Sequence, residues 1–380
     1  MQKRFVQKSF MQKKRALITA IAVALLGILI YSQFREWRDF DWVTFWAQTH
    51  HIRGIHILHA IALIYLHYGL RALRWKIFLK PLKKTSWLGL VPPTLIGFTG
   101  LALLGRPGEF IRPYLIARQA KVSFSSQIAV WTVERIFDLG AFAVLLLCAV
   151  LTSNELQQIS HPFDFHLFHF FGSHFIHIHY LLTAALAAEM IAALAIGLAV
   201  IAVMIAKYGS LLANWSEAQF RGSRVELGRK VACKIREFGL GLNTIDSPWA
   251  FAQLSAVSVA MWFLIALAYR EVTHAYVDVS VLHVLTISKV LLLMASSMLG
   301  SMVQLPAVGG GSQVATISAL SAIFHVPKES AVSCGMLLWL VTFMSVVPLG
   351  LALAHRARLS LRQLSKESAQ AEAARTPATI

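Results

Sequence analysis

Seven apolar runs, at residues 16–32, 56–70, 129–151, 181–206, 250–268, 290–303 and 331–354, constrain this chain more than any other feature. A helix needs about 20 mostly apolar residues to cross a hydrocarbon core, and only helices or closed barrels satisfy their backbone there. The composition agrees: 57% of the 380 residues are hydrophobic and 14% charged, against about 25% charged in a soluble domain. The expectation is an all-α polytopic membrane protein with about seven to eight transmembrane helices. The first run has no small-residue cleavage site after it and reads as a retained anchor rather than a signal peptide. Cys148 and Cys334 sit in apolar runs and Cys233 in a basic stretch, so no disulfide framework is implied.

The formal charge of +17 would fit a nucleic-acid binder, but its distribution fits a membrane protein better. Lys3, Arg4, Lys8, Lys13, Lys14 and Arg15 precede the first run, and Arg71, Arg74, Lys76, Lys80, Lys83 and Lys84 follow the second. Arg106, Arg112, Arg118 and Lys121 form a third group, residues 207–236 a fourth and the tail a fifth. Loops rich in Lys and Arg stay in the cytoplasm, which puts both termini there and excludes nucleic acid as a partner. The reading is a basic cytoplasmic N-terminus (1–15), one membrane domain (16–355) and a cytoplasmic tail (356–380). Within the domain, 152–180 is an external His- and Phe-rich loop and 207–248 a cytoplasmic basic segment.

Two segments do not fit a simple span. Residues 86–105 are long enough to cross, yet a crossing would place the basic 207–236 cluster outside. A re-entrant hairpin avoids this, and Pro92, Pro93, Gly97 and Gly100 offer helix breaks. Near the other end, Leu305-Pro306-Ala-Val-Gly309-Gly310-Gly311-Ser-Gln313 interrupts the apolar pattern over 305–324. Broken segments in the two halves of a membrane protein point to a transporter-like site between them; the plainer reading is close helix packing at glycine.

Charge inside an apolar run is expensive, about 2.5–3.5 kcal/mol at a helix centre, so such groups face the bundle and pair. Glu134, Arg135 and Asp138 enter the 129–151 run together. Their spacing lets them share a helix flank, with Arg135 neutralising the two carboxylates in part. They serve either as an ion-pair staple or as the lining of a headgroup or proton path. Upstream, Arg106 and Arg112 offer planar donor forks suited to phosphate, and Glu109 can pair with either or receive an amine. A basic loop facing anionic lipid needs no site at all.

These residues resemble a known family. Gly105-Arg106-Pro-Gly108-Glu109-Phe-Ile-Arg112, Glu134-Arg135-Ile-Phe-Asp138, Pro306-Ala-Val-Gly309-Gly310 and Arg71-Ala-Leu-Arg74-Trp75 are similar, in order, to motifs of the lysylphosphatidylglycerol synthase transmembrane region, or flippase-like domain. The resemblance spans roughly residues 15–355 and includes no soluble synthase domain. It departs at Leu104, where the family has proline, and at Ala315, where it has an acid; Gln313 is the nearest polar substitute. The resemblance implies a lipid translocase, flippase- or scramblase-like, for a phosphate-bearing lipid, aminoacylated or isoprenoid-linked. Arg106, Glu109, Arg112, Glu134, Arg135, Asp138 and Gln313 would bind substrate, with Pro92, Pro93, Gly105, Gly108, Pro306, Gly309, Gly310 and Gly311 shaping the backbone. A non-transporting scaffold for a lipid- or glycan-modifying enzyme and a membrane-embedded lipid transferase are the alternatives, and a homo-oligomer or partner enzyme is compatible with each.

No P-loop, nucleophile elbow, zinc motif or dinucleotide fingerprint occurs, so no cofactor, metal or catalytic residue is expected. The six histidines between His161 and His179 match no fixed ligand spacing and, interleaved with phenylalanine, read as an interfacial segment. Phe34, Trp37, Trp42, Phe45 and Trp46 suggest an external helix lying among headgroups.

Overall fold

The computed structural model describes residues 40–153, 247–301, 304–305 and 309–357, with isolated positions between 193 and 245. The first anticipated span, nearly all of the 181–206 run, the His-rich loop, Pro306, most of the basic 207–236 segment and the tail past residue 357 lie outside the described residues.

The chain folds as an all-α membrane protein. Helix α1 (Trp42–His50) starts at Asp41, whose carboxylate accepts from the backbone N–H groups of Val43 and Thr44 at 2.9 and 3.1 Å. Bonding to the Thr44 hydroxyl and these backbone groups holds the Asp41 carboxyl below its ordinary pKa. Trp42, Val43 and Trp46 remain exposed on this helix, and Phe34 and Trp37 lie outside the described residues. Helix α2 (Gly54–Leu79) follows, then α3 (Trp87–Leu104), a 3-10 turn (Arg106–Phe110), α4 (Ile111–Ala120) and α5 (Phe124–Thr152). The C-terminal half has α6 (Pro248–His274), a single turn α7 (Ser280–His283), α8 (Ile287–Gly300), α9 (Gly311–Ala322) and α10 (Lys328–Trp339). A π-turn (Leu340–Met344) joins α10 to α11 (Val346–Arg356).

Antiparallel α2 and α6 set the frame. The Arg53 N–H donates to the Ala275 carbonyl at 3.1 Å, so the start of α2 and the end of α6 share one face of the bundle. Ser333 of α10 contacts Thr49 at 3.1 Å and Tyr276 at 2.8 Å, placing the start of α10 on that first face. Leu79, Pro248 and Arg356 mark the second face. Among the described residues, Trp87–Leu104, Phe124–Thr152, Pro248–His274 and Lys328–Arg356 are long and apolar enough to cross a membrane. Ile64, Phe142, Leu146, Leu293, Leu320 and Leu338 anchor the main core, and Trp75, Phe78, Ile116 and Leu254 a second one nearer the second face.

The re-entrant reading of 86–105 needs one correction. Helix α3 runs unbroken through Pro92 and Pro93; the reversal comes at Gly105, where φ is 70°. Pro93 has no N–H to give the Gly89 carbonyl, and Gln119 of α4 supplies the missing donor at 2.9 Å. A neighbouring helix thus repairs the ladder where the prolines would open it. The same bond puts the end of α4 beside the start of α3, so the α3–α4 pair enters from the second face and returns to it. Their approach is close because glycine lines it: a Cβ on Gly97 would lie 2.4 Å from the Arg112 Cβ, and one on Gly108 2.1 Å from the Gly100 carbonyl oxygen.

A second hairpin enters from the first face. At 1.5 Å per residue α8 and α9 reach only about 21 and 18 Å, short of the ~30 Å core. They are joined by an antiparallel pairing of Gln304 with Gly310 and Leu305 with Gly309. Gly310 has φ 121°, a conformation open to glycine, and a Cβ on Gly300 would stand 2.2 Å from the Gly311 oxygen. Tyr269 of α6 donates to Ser297 of α8 at 3.3 Å. On α11, Gly350 lets α3 approach, since a Cβ there would overlap the Thr99 hydroxyl. At the π-turn the Tyr65 hydroxyl donates to the Ser345 carbonyl at 2.7 Å.

Gly97→Ala is expected to force α4 away from α3 and cost about 1–3 kcal/mol, the range for overpacking. Gly140→Ala, where an added Cβ meets nothing within 4 Å, should be neutral or gain about 0.5–1 kcal/mol in helix preference. Thermal unfolding of the two variants in detergent checks the contrast.

Candidate functional site

Arg71 and Arg74 sit three apart on α2, so they and Trp75 project toward α5 from one flank. Glu134 and Asp138, four apart on α5, face them. From the α3–α4 hairpin Arg112 completes the group. All five ionisable side chains are buried, Arg74 and Glu134 fully.

Glu134 is the hub. Its Oε1 accepts from Arg71 Nη1 at 3.1 Å, Arg74 Nη2 at 2.6 Å and Arg112 Nη1 at 3.0 Å. Its Oε2 accepts from Trp75 Nε1 at 2.9 Å and from Arg112 Nη2, which closes a two-bond fork. Asp138 Oδ1 accepts from Arg74 Nη1 at 2.7 Å, and the same nitrogen donates to the Ser258 hydroxyl of α6 at 2.8 Å. Arg71 Nε donates to His67 Nε2 at 3.2 Å. Since guanidinium can only donate, His67 carries its proton on Nδ1, which points at the Met261 carbonyl at 3.3 Å. Three guanidiniums against two carboxylates and a neutral imidazole leave one net positive charge. The Phe98 ring lies against both Arg71 and Arg112, at 4.8 and 5.0 Å from its centroid. Aromatic faces of this kind attract desolvated cations.

Beside this cluster is a small recess, open to the outside and lined by Gly97, Phe98, Leu101, Glu109, Arg112, Trp131 and Arg135. Arg112 therefore belongs to both: its fork closes on Glu134 while its side chain forms part of the recess wall. Arg135 lies over the Trp131 ring at 5.5 Å.

The sequence-derived site residues divide accordingly. Arg112, Glu134 and Asp138 converge, and Arg135 pairs with Asp138 alone of the two carboxylates. One residue is about 100° of helix turn, so Arg135 points off the flank of Glu134; its side chain is 38% exposed and forms a long ion pair with Asp138, at 3.8 Å. The buried neutralising cations are Arg71, Arg74 and Arg112. Arg71 and Arg74, which the charge pattern groups with a cytoplasmic basic stretch, lie instead inside α2. Their signal was present in the Arg71–Trp75 motif: two arginines and an indole on one helical flank, directly after an apolar run. Glu109 lines the recess, and among the described residues no ion pair joins it to Arg112 or Arg135. Arg106 lies exposed on the 3-10 turn. Gln313 is spent locally, its Oε1 accepting from the Gly310 N–H at 3.3 Å at the start of α9.

Removing the hub should be costly and removing the rim cheap. Glu134→Ala leaves three buried guanidiniums with a single carboxylate and is expected to destabilise by about 3–5 kcal/mol, the cost of stranding buried charge. Arg135→Ala should change stability by less than about 1 kcal/mol. Thermal unfolding monitored by size-exclusion of the detergent-solubilised protein separates the two.

No curated protein and no solved structure matches the chain. One family does: the family model described as "Lysylphosphatidylglycerol synthase TM region" matches residues 17–350, a span that takes in both hairpins, the cluster and the recess. This is a membrane, lipid-related protein, and the chain belongs to the lysylphosphatidylglycerol synthase TM region family.

Proposed function

We propose that this protein is a lipid translocase, flippase- or scramblase-like, that moves a phosphate-bearing lipid across the cytoplasmic membrane. The observation that carries the reading is the recess holding Glu109, Arg112 and Arg135 against a cluster of buried charge in an otherwise apolar bundle. Ionisable groups at membrane depth are expensive and mark substrate pathways. Two hairpins entering from opposite faces, each too short to act as an ordinary span or folded back on itself, provide the irregular backbone that lines such pathways.

The chemistry suits a headgroup and not a whole lipid. The recess is an open depression that encloses no room for a whole lipid, so acyl chains stay in the bilayer while the headgroup passes along it. Arg135, with Arg112 behind it, presents guanidinium donors to phosphate oxygens. Glu109 accepts an amine when the headgroup carries one. Glu134 and Asp138 hold Arg112 and its neighbours in place, so the recess keeps its shape without a bound lipid. Lys80, Lys83, Lys84, Lys121 and Arg356 gather on the second face, which the positive-inside rule assigns to the cytoplasm. The α3–α4 hairpin and its recess would then load from the cytoplasmic side.

The test is reconstitution into vesicles with labelled anionic, neutral and aminoacylated phospholipids, reading leaflet redistribution with a membrane-impermeant quencher. The protein should accelerate redistribution. Arg135→Ala and Glu109→Gln should slow it about tenfold or more, since each removes a charged hydrogen bond worth about 1.5–3 kcal/mol. No redistribution under any ion gradient would overturn the translocase reading in favour of a scaffold. Equal rates in both variants would remove the recess from the pathway.

A further inference from the structure

On the first face, away from the arginine cluster, a second group of ionisable side chains joins α2 to α6. His56 and His59 are three apart on α2 and so lie on one flank; Glu271 reaches them from the last turn of α6. Glu271 Oε2 is 2.8 Å from His56 Nδ1 and 3.5 Å from His59 Nδ1. One donor atom from each residue lies within 4.8 Å of the others. His56 and Glu271 are 23% exposed and His59 57%, so the group is anchored at the bundle and open on one side.

We infer that His56, His59 and Glu271 form a binding site for a divalent transition-metal ion, with Zn²⁺ as its best match. Two imidazoles and one carboxylate form a ligand set suited to zinc, with further positions left for water. Zinc holds nitrogen and oxygen at about 2.0–2.2 Å, which sets tetrahedral donor separations of about 3.3–3.6 Å. The 2.8 Å contact must open and the widest separation close, adjustments of the size that side-chain rotation provides. The helix ends do not oppose the cation overall: Glu271 lies at the negative end of α6, which offsets the positive end of α2. Because a metal takes imidazole through an unprotonated nitrogen, binding at His56 Nδ1 replaces its hydrogen bond to Glu271 and leaves the ring proton on Nε2.

A metal here would clamp the two helices that also carry the arginine cluster: α2 holds Arg71 and Arg74, and α6 holds Ser258 and Met261. His51 and Asp278, paired at 3.0 Å and both exposed, lie on the same α2–α6 seam, toward the surface, and would keep the approach polar.

The full-length protein, stripped with chelator and exchanged into nanodiscs, is titrated with Zn²⁺ alone. The chain has fifteen histidines and imidazole is a general zinc ligand, so the measurement is the difference between the chain and its variants. His59→Ala and Glu271→Gln should each lose a single zinc equivalent. Affinity for that equivalent should fall at least as far as the about 10–100-fold that follows loss of an outer-shell partner. With Co²⁺ as the probe, visible bands of low-symmetry coordination should appear in the native chain and vanish in His59→Ala. Zn²⁺ should raise the thermal midpoint of the native protein more than that of either variant. Each variant is compared with itself with and without metal, so lowered starting stability does not mask the result. Unchanged stoichiometry, affinity and Co²⁺ spectrum in both variants would overturn the site and leave a hydrogen-bonded helix staple only.

Discussion

A single carboxylate that has run out of free lone pairs organises this molecule. Glu134 receives five hydrogen bonds from four side chains, which exceeds the about four acceptor positions a carboxylate offers. Burying an ion costs several kcal/mol even after relaxation, and the loss is recovered only when the geometry is good and the remaining donors are satisfied. Here recovery requires α2, α5 and the α3–α4 hairpin to be in register at once, with α6 adding Ser258. The cluster therefore specifies which helices meet and at what height. Apolar packing alone specifies this poorly, since in lipid the alternative neighbour is just as apolar.

The α3–α4 hairpin can deliver Arg112 to that hub only because glycine lets two backbones nearly touch. Gly97 faces Arg112, and Gly100 faces Gly108. The recess is a by-product of the same geometry: where the chain turns at Gly105, the 3-10 segment swings Glu109 back over the wall formed by Trp131 and Arg135. Structure and candidate chemistry therefore share one set of residues, and the arginine that stabilises the fold also lines the opening.

Much of this was legible in sequence, though unevenly. The membrane class followed from the apolar runs, because length against bilayer thickness is nearly a one-variable problem. Three short motifs, 71–75, 105–112 and 134–138, turn out to meet at one point, and helical spacing was enough to pair Glu134 with Asp138. What could not be read was which cations reach them. Arg135 is adjacent in sequence but a hundred degrees away on the helix, whereas Arg71 and Arg74 come from a different helix and looked like part of a basic loop. The proline pair misled for a related reason. A missing N–H is visible in sequence, but the side chain that replaces it, Gln119, lies some 26 positions further on.

The π-turn in the last helix governs how that helix is read by its neighbours. One line of buried positions along it runs Ala331, Cys334, Leu338 and Val341, then Val346, Gly350 and Ala354. The steps are the threes and fours of an α-helix except for one step of five, and that step crosses Leu340–Met344. In an uninterrupted α-helix the surplus residue would rotate everything after it by about 100°, turning Gly350 away from Thr99. The wider turn absorbs the surplus as a bulge, so one seam serves α1, α6 and α9 above and α3 below. The segment behaves as a helix that has taken up a one-residue insertion without losing phase, and Tyr65 bonds the carbonyl just past the bulge.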